Sequence, residues 1–94
     1  MVRKTAGASE GWREFAVELG RQIRRFRVEK DLSQEALAFR AGLTRFTVQR
    51  YEAGEGQTGS PANPSLRTIV ALAQVLDVRL EELLPANQPD VTTR

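Results

Sequence analysis

Five side chains within six positions, Arg45, Phe46, Thr47, Gln49 and Arg50, have types and spacing that could do chemistry together. An arginine can donate two hydrogen bonds to the O6 and N7 edge of guanine. A glutamine can grip adenine in the same two-pronged way, and each such pair is worth roughly 1–3 kcal/mol of discrimination between bases. Arg45, Gln49 and Arg50 are therefore candidate base readers. Phe46 either packs on a thymine methyl or folds back on its own domain. The hydroxyls of Thr44 and Thr47 suit phosphate oxygens. Other chemistries lack their tools. The 94 residues contain no histidine and no cysteine, so the commonest zinc and copper ligands, the usual general base near neutral pH and any disulfide are missing. Glu81 and Glu82 are adjacent on the chain and do not converge as an acid/base pair would. Neither an enzyme nor a metal- or cofactor-bearing protein is expected.

These side chains need an element to present them, and the surrounding sequence supplies one. Ser33 is a good N-cap for a helix that begins at Gln34, with Leu37, Ala38 and Ala41 on a narrow apolar edge. Gly42 supplies the left-handed residue that ends it. Leu43 points inward, Thr44 caps again, and a second helix runs from Arg45 to about Ala53, where Gly54 follows. Val48 and Tyr51 fall three apart on its inner face. Two short helices joined by a Gly-containing turn, the second with arginine and glutamine outward, fit the helix-turn-helix that lays a recognition helix in the DNA major groove. Charge agrees with this reading. From Arg21 to Arg50 there are eight basic residues against three acidic ones, whereas from Gly54 onward three basic residues face five acidic ones. A basic half that carries the helix pair is the footprint of a nucleic-acid binder.

Several motifs follow one another in a familiar order: Leu32-Ser33-Gln34-Glu35, Ala41-Gly42-Leu43-Thr44, Tyr51-Glu52-Ala53-Gly54 and Asn63-Pro64-Ser65-Leu66. In these the chain resembles the phage-repressor (Cro/C1, XRE-type) helix-turn-helix family, from roughly Leu19 to Leu84. The resemblance implies an all-α, five-helix repressor-like domain. It also implies that Gln34 contacts a DNA phosphate, and that Arg27 and Glu52 form a buried ion pair with a structural role. Arg24, with Arg21 and Arg25, is a surface candidate for phosphate contact, although Arg25 can pair with Glu29 instead. In the family the end of the domain often makes the two-fold contact, so Leu80, Leu83 and Leu84 are either core filling or a dimer seam. Two departures stand out. The Gly-, Ser- and Pro-rich connection over residues 55–62 is longer than the family's and carries Glu55 rather than positive charge. Arg79 stands where a Ser or Thr cap is usual.

The rest of the chain fills in around this centre. Residues 1–11 are expected to form a loose arm, residues 12–84 the domain, and residues 85–94 a polar tail. Helix one is expected from about Trp12 to Lys30, since Trp12, Phe15, Ala16, Leu19, Ile23 and Phe26 recur at helical spacing. Gly20 inside it reads as a close-packing point. Helix four should follow the Ser65 cap with Leu66, Ile69, Val70, Ala73 and Leu76 inward, and a short helix five should span Leu80 to Leu84. No apolar run approaches the ~18 residues that span a membrane, and the start lacks a signal-peptide core, so a cytoplasmic location is expected. The functional expectation is a sequence-specific regulator of transcription that binds double-stranded DNA as a homodimeric repressor. The alternatives are the antitoxin of a toxin–antitoxin pair, with a toxin as protein partner, and a protein-interaction module that keeps the fold without reading DNA.

Overall fold

The computed structural model describes residues 3–93, with side chains from Glu10 onward. Met1 and Val2 of the expected arm, and Arg94 of the expected tail, lie outside the described residues. Five helices follow in order: α1 (Arg3–Glu29), α2 (Gln34–Ala41), α3 (Arg45–Glu52), α4 (Leu66–Leu76) and α5 (Leu80–Leu83). The described residues contain no strand, only an isolated bridge between Glu55 and Pro61. The architecture is all-α.

Local chemistry explains most of the boundaries. Ser33 Oγ accepts from the Ala36 N–H at 3.0 Å, Thr44 Oγ1 from the Thr47 N–H at 3.2 Å, and Ser65 Oγ from the Thr68 N–H at 3.1 Å. Each thus satisfies a donor that a helix start leaves free. Gly42 ends α2 at φ +74°, and the Leu43 N–H returns to the Ala38 carbonyl at 2.8 Å. Arg79 has no hydroxyl to cap α5. The Glu82 carboxylate instead reaches back from inside the helix and accepts from the backbone N–H of Arg79 itself at 2.8 Å.

The core is one cluster to which Leu19 and Ile23 of α1, Leu37 and Ala38 of α2, Val48 of α3, Ile69, Leu72, Ala73 and Leu76 of α4, and Leu83 of α5 contribute. Four details correct the sequence expectation or add to it. First, α1 starts at Arg3 rather than near Trp12 and ends at Glu29 rather than Lys30. The stretch before Trp12 contains Ala6 and Ala8, which favour helix through propensity without any apolar periodicity to announce it. Second, Leu66 is 72 % exposed and does not line the core, whereas Leu72, left out of the expected face, is buried. Ile69, Leu72, Ala73 and Leu76 occupy the i, i+3, i+4 and i+7 positions, and the first turn of α4 runs clear of that cluster. Third, Leu83 is fully buried. It is core filling and has no surface to offer a dimer seam; Leu80 and Leu84 are half-buried and retain some. Fourth, the tail is not wholly exposed: Pro85 is buried, and Gly11, Glu14, Phe15 and Glu18 of α1 line a cleft with Asn87 and Gln88.

Candidate nucleic-acid interface

The placement of α3 begins with two close contacts. Gly20 lies against the last turn of α3, where a Cβ would sit 2.6 Å from the Glu52 carbonyl oxygen. The absence of a side chain there is what lets α1 and α3 cross at this distance. Beside that crossing, Arg27 donates from Nε to Glu52 Oε2 at 2.5 Å and from Nη2 to Oε1 at 3.0 Å. Its Nη1 donates to the Leu32 carbonyl at 2.8 Å. The two side chains are 13 % and 5 % exposed. This fork ties the end of α1, the turn before α2 and the end of α3 to one point. A carboxylate has more lone pairs than one arginine fills, and Glu52 Oε1 also accepts from Gln34 Nε2 at 3.0 Å. Gln34 is therefore half-buried and turned inward in the free chain. One of its two amide hydrogens is held by the ion pair, which leaves the second for another acceptor.

With Val48 buried, the opposite side of α3 faces outward. Arg45 and Gln49 are exposed and Phe46 is 68 % exposed, so Phe46 does not fold back on the domain. Thr44 is exposed and Thr47 half-buried, with their hydroxyl oxygens 3.0 Å apart. Arg50 differs from the other outward candidates. It is half-buried, its Nη2 has one long contact to Thr47 Oγ1 at 3.5 Å, and its Nε is buried without a hydrogen-bond partner. It stands at the wall of a cleft of about 280 Å³ that it shares with Tyr51, Gly56, Gln57, Ser60 and Asn63.

The other wall of that cleft is the long connection, which is an ordered hairpin. The Gly56 N–H donates to the Ser60 carbonyl at 2.8 Å and the Ala62 N–H to the Gly54 carbonyl at 2.9 Å. Thr58 and Gly59, at φ +57° and +77°, form its tip. Positive φ at both central residues is the turn geometry that suits tight hairpins. The Gly59 in the sequence is a signal for such a turn; the left-handed Thr58 before it is not one a sequence offers.

Among the basic residues of α1, Arg21 pairs with Glu18, and Arg25 pairs with Glu29 at 3.5 Å while its guanidinium lies 4.4 Å from the Phe26 ring centroid. Arg24 is exposed and, among the described residues, has no ion-pair partner. Arg45 is in the same condition. Phe39, 85 % exposed on α2, is not marked by the sequence; nor, although Trp12 stands in the apolar series of helix one, is the hydrogen bond its Nε1 donates to the Ala62 carbonyl at 3.0 Å across fifty positions of chain. Among the described residues no cluster of acidic side chains could hold a metal ion, and no helix is long and apolar enough to cross a membrane.

Comparison with known proteins agrees with this arrangement. The family model described as Helix-turn-helix matches residues 23–83. An HTH-type transcriptional regulator of Archaeoglobus fulgidus is 37 % identical over 62 residues, covering 66 % of this chain and 80 % of that protein. The restriction-modification controller protein C.AhdI of Aeromonas hydrophila is similar in structure with a TM-score of 0.65 and 40 % identity, over 73 % of this chain and 96 % of that one. The biofilm master regulator SinR, solved in complex with DNA, gives a TM-score of 0.60 and 29 % identity over 69 % of this chain and 95 % of its own. With more than half of its length matched and its helix pair in the expected geometry, the chain belongs to the helix-turn-helix family of Cro/C1 (XRE) type, a family of DNA-binding transcriptional regulators.

Proposed function

We propose that this protein is a dimeric repressor that reads an operator with α3 in the major groove. The observation that carries this is the contrast within α3: Val48 is locked in the core while Arg45 at the helix start and Phe46 and Gln49 along it stand exposed. In this reading Arg45 and Gln49 contact base edges, Phe46 covers a thymine methyl, and Arg50 enters the groove from beside the hairpin. Thr44, Thr47 and Arg24 contact phosphates. Gln34 joins them with its backbone N–H at the start of α2 and its second amide hydrogen, the first being held by Glu52. A structural relative solved in complex with DNA supports the choice of DNA as the ligand.

One short helix reads too few bases to be selective among genomic sites, so a two-fold dimer is the natural assembly. Leu80 and Leu84, half-buried at the end of the domain, are its proposed seam, in a cytoplasmic protein. Selection from a random-sequence duplex library tests the whole reading. An enriched inverted repeat with half-sites roughly 34–36 Å apart is expected; an asymmetric motif would refute the dimer, and no motif would refute DNA reading. Leu84→Lys is expected to shift the sedimentation coefficient from dimer to monomer at micromolar concentration while the monomer stays helical. An unchanged dimer would remove α5 from the seam.

A further inference from the structure

The hairpin over residues 54–62 is anchored at both ends on one turn and a half of α1. At its start, Gly54 is buried against Val17, so closely that a Cβ on Gly54 would lie 2.9 Å from the Val17 Cα. At its end, Ala62 is buried, its N–H closes the hairpin on the Gly54 carbonyl, and its own carbonyl accepts from Trp12 Nε1. The indole is fixed in turn by Phe15, with ring centroids 5.2 Å apart. The chain between these anchors forms the far wall of the Arg50 cleft. The Glu55 N–H also donates to the Arg50 carbonyl at 2.8 Å.

The Arg50 guanidinium has little else to hold it. Among the described residues its Nε has no partner, and one 3.5 Å contact to Thr47 is its only side-chain hydrogen bond. Its pose is set by enclosure between α3 and the hairpin. A long side chain left free loses more rotamer entropy when it docks on a ligand than one already confined. Anything that keeps the hairpin closed therefore favours binding through Arg50 without touching DNA.

We propose that Trp12 is a positioning residue for DNA recognition: its hydrogen bond to Ala62 holds the 54–62 hairpin closed, and the closed hairpin fixes Arg50 in the pose that meets DNA. The proposal rests on the DNA-reading function above and extends it to a residue on a part of α1 that precedes the segment matched by the family, residues 23–83.

The test is a double-mutant cycle on the selected duplex. Trp12→Phe keeps an aromatic ring beside Phe15 but removes the N–H donor. It is expected to weaken binding about three- to tenfold in the wild-type background and to have no further effect in an Arg50→Ala background, since two residues acting through one contact are not additive. Gly59→Val strains the hairpin tip, where φ is +77° and no atom lies within 4 Å of the added Cβ. It should show the same non-additivity without touching the indole. Hydrogen exchange without DNA supplies a second readout: in Trp12→Phe the Gly56 and Ala62 amides should exchange faster while Leu37 and Leu72 keep their protection. Additive effects, or unchanged exchange at Gly56 and Ala62, would overturn the proposal while leaving DNA reading intact. A wild-type protein that enriches no duplex would overturn both.

Discussion

Arg27→Met is expected to destabilise the domain by about 3–5 kcal/mol, because it strands a carboxylate in a site built around its counter-charge. The side chain of Glu52 is 5 % exposed, and after the substitution the Gln34 amide would be its only side-chain donor among the described residues. The Leu32 carbonyl would also lose the Arg27 Nη1 hydrogen bond. Against the 5–15 kcal/mol typical of a native domain, this is a large fraction of the whole. The origin of the loss is separable. The desolvation cost of the pair itself offsets much of its attraction, so Arg27→Met combined with Glu52→Leu should recover most of the stability. Urea denaturation of the two variants reads this directly as a large fall in midpoint for the single change and a small one for the double. A single variant within about 1 kcal/mol of wild type would place the pair with ordinary surface ion pairs.

Gly20→Ala sets two effects against each other. In a free helix alanine is better than glycine by about 1 kcal/mol. Here the new Cβ would approach the Glu52 carbonyl oxygen to 2.6 Å and the Glu52 carbonyl carbon to 2.9 Å, and the Tyr51 carbonyl oxygen more closely still. These are backbone atoms and cannot swing aside as a flexible side chain could, so α1 and α3 must separate. Overpacking of this kind costs about 1–3 kcal/mol. It also pulls Glu52 away from Arg27, which places the cost of the clash at or above the upper end of that range. A fall in Tm of about 4–8 °C per kcal/mol is expected for a domain of this size. A thermal melt with unchanged or raised Tm would mean that propensity outweighs the clash.

The two positions show how unevenly a sequence discloses its structure. Gly20 reads as a close-packing point, but nothing in the sequence says that its neighbour is the end of α3. The caps at Ser33, Thr44 and Ser65 and the left-handed turn at Gly42 are local, decided by residues within one turn, and so were legible in full. The phase of each amphipathic helix was legible too, but its reach was not. Periodicity places Leu66 in line with Ile69, yet the core ends before it, and Leu83 looks as available as Leu80 until packing buries it. The start of α1 carries helix propensity without apolar spacing, and periodicity is blind to that. At the site, Phe46 and Gln49, two positions before and one after the buried Val48, are turned away from the core by helical phase, and Arg45 is exposed at the first position of α3. The enclosure of Arg50 depends on a hairpin held by Trp12 from fifty residues away, and the inward turn of Gln34 depends on an unfilled lone pair of Glu52. Contacts at that separation leave no mark on local sequence.

Fluorescence-anisotropy titration most directly tests whether α3 reads DNA. A duplex from the region upstream of the protein's own gene would be titrated beside a scrambled duplex, at several salt concentrations, with wild-type protein and Arg45→Ala. A preference of about 10³-fold or more for the upstream duplex is expected, with the logarithm of affinity falling steeply against the logarithm of salt on both. Arg45→Ala should lower that preference by roughly 1–3 kcal/mol, leaving weak binding to the scrambled duplex nearly as it was. Equal loss on both duplexes, or a preference that survives the substitution undiminished, would contradict readout by α3.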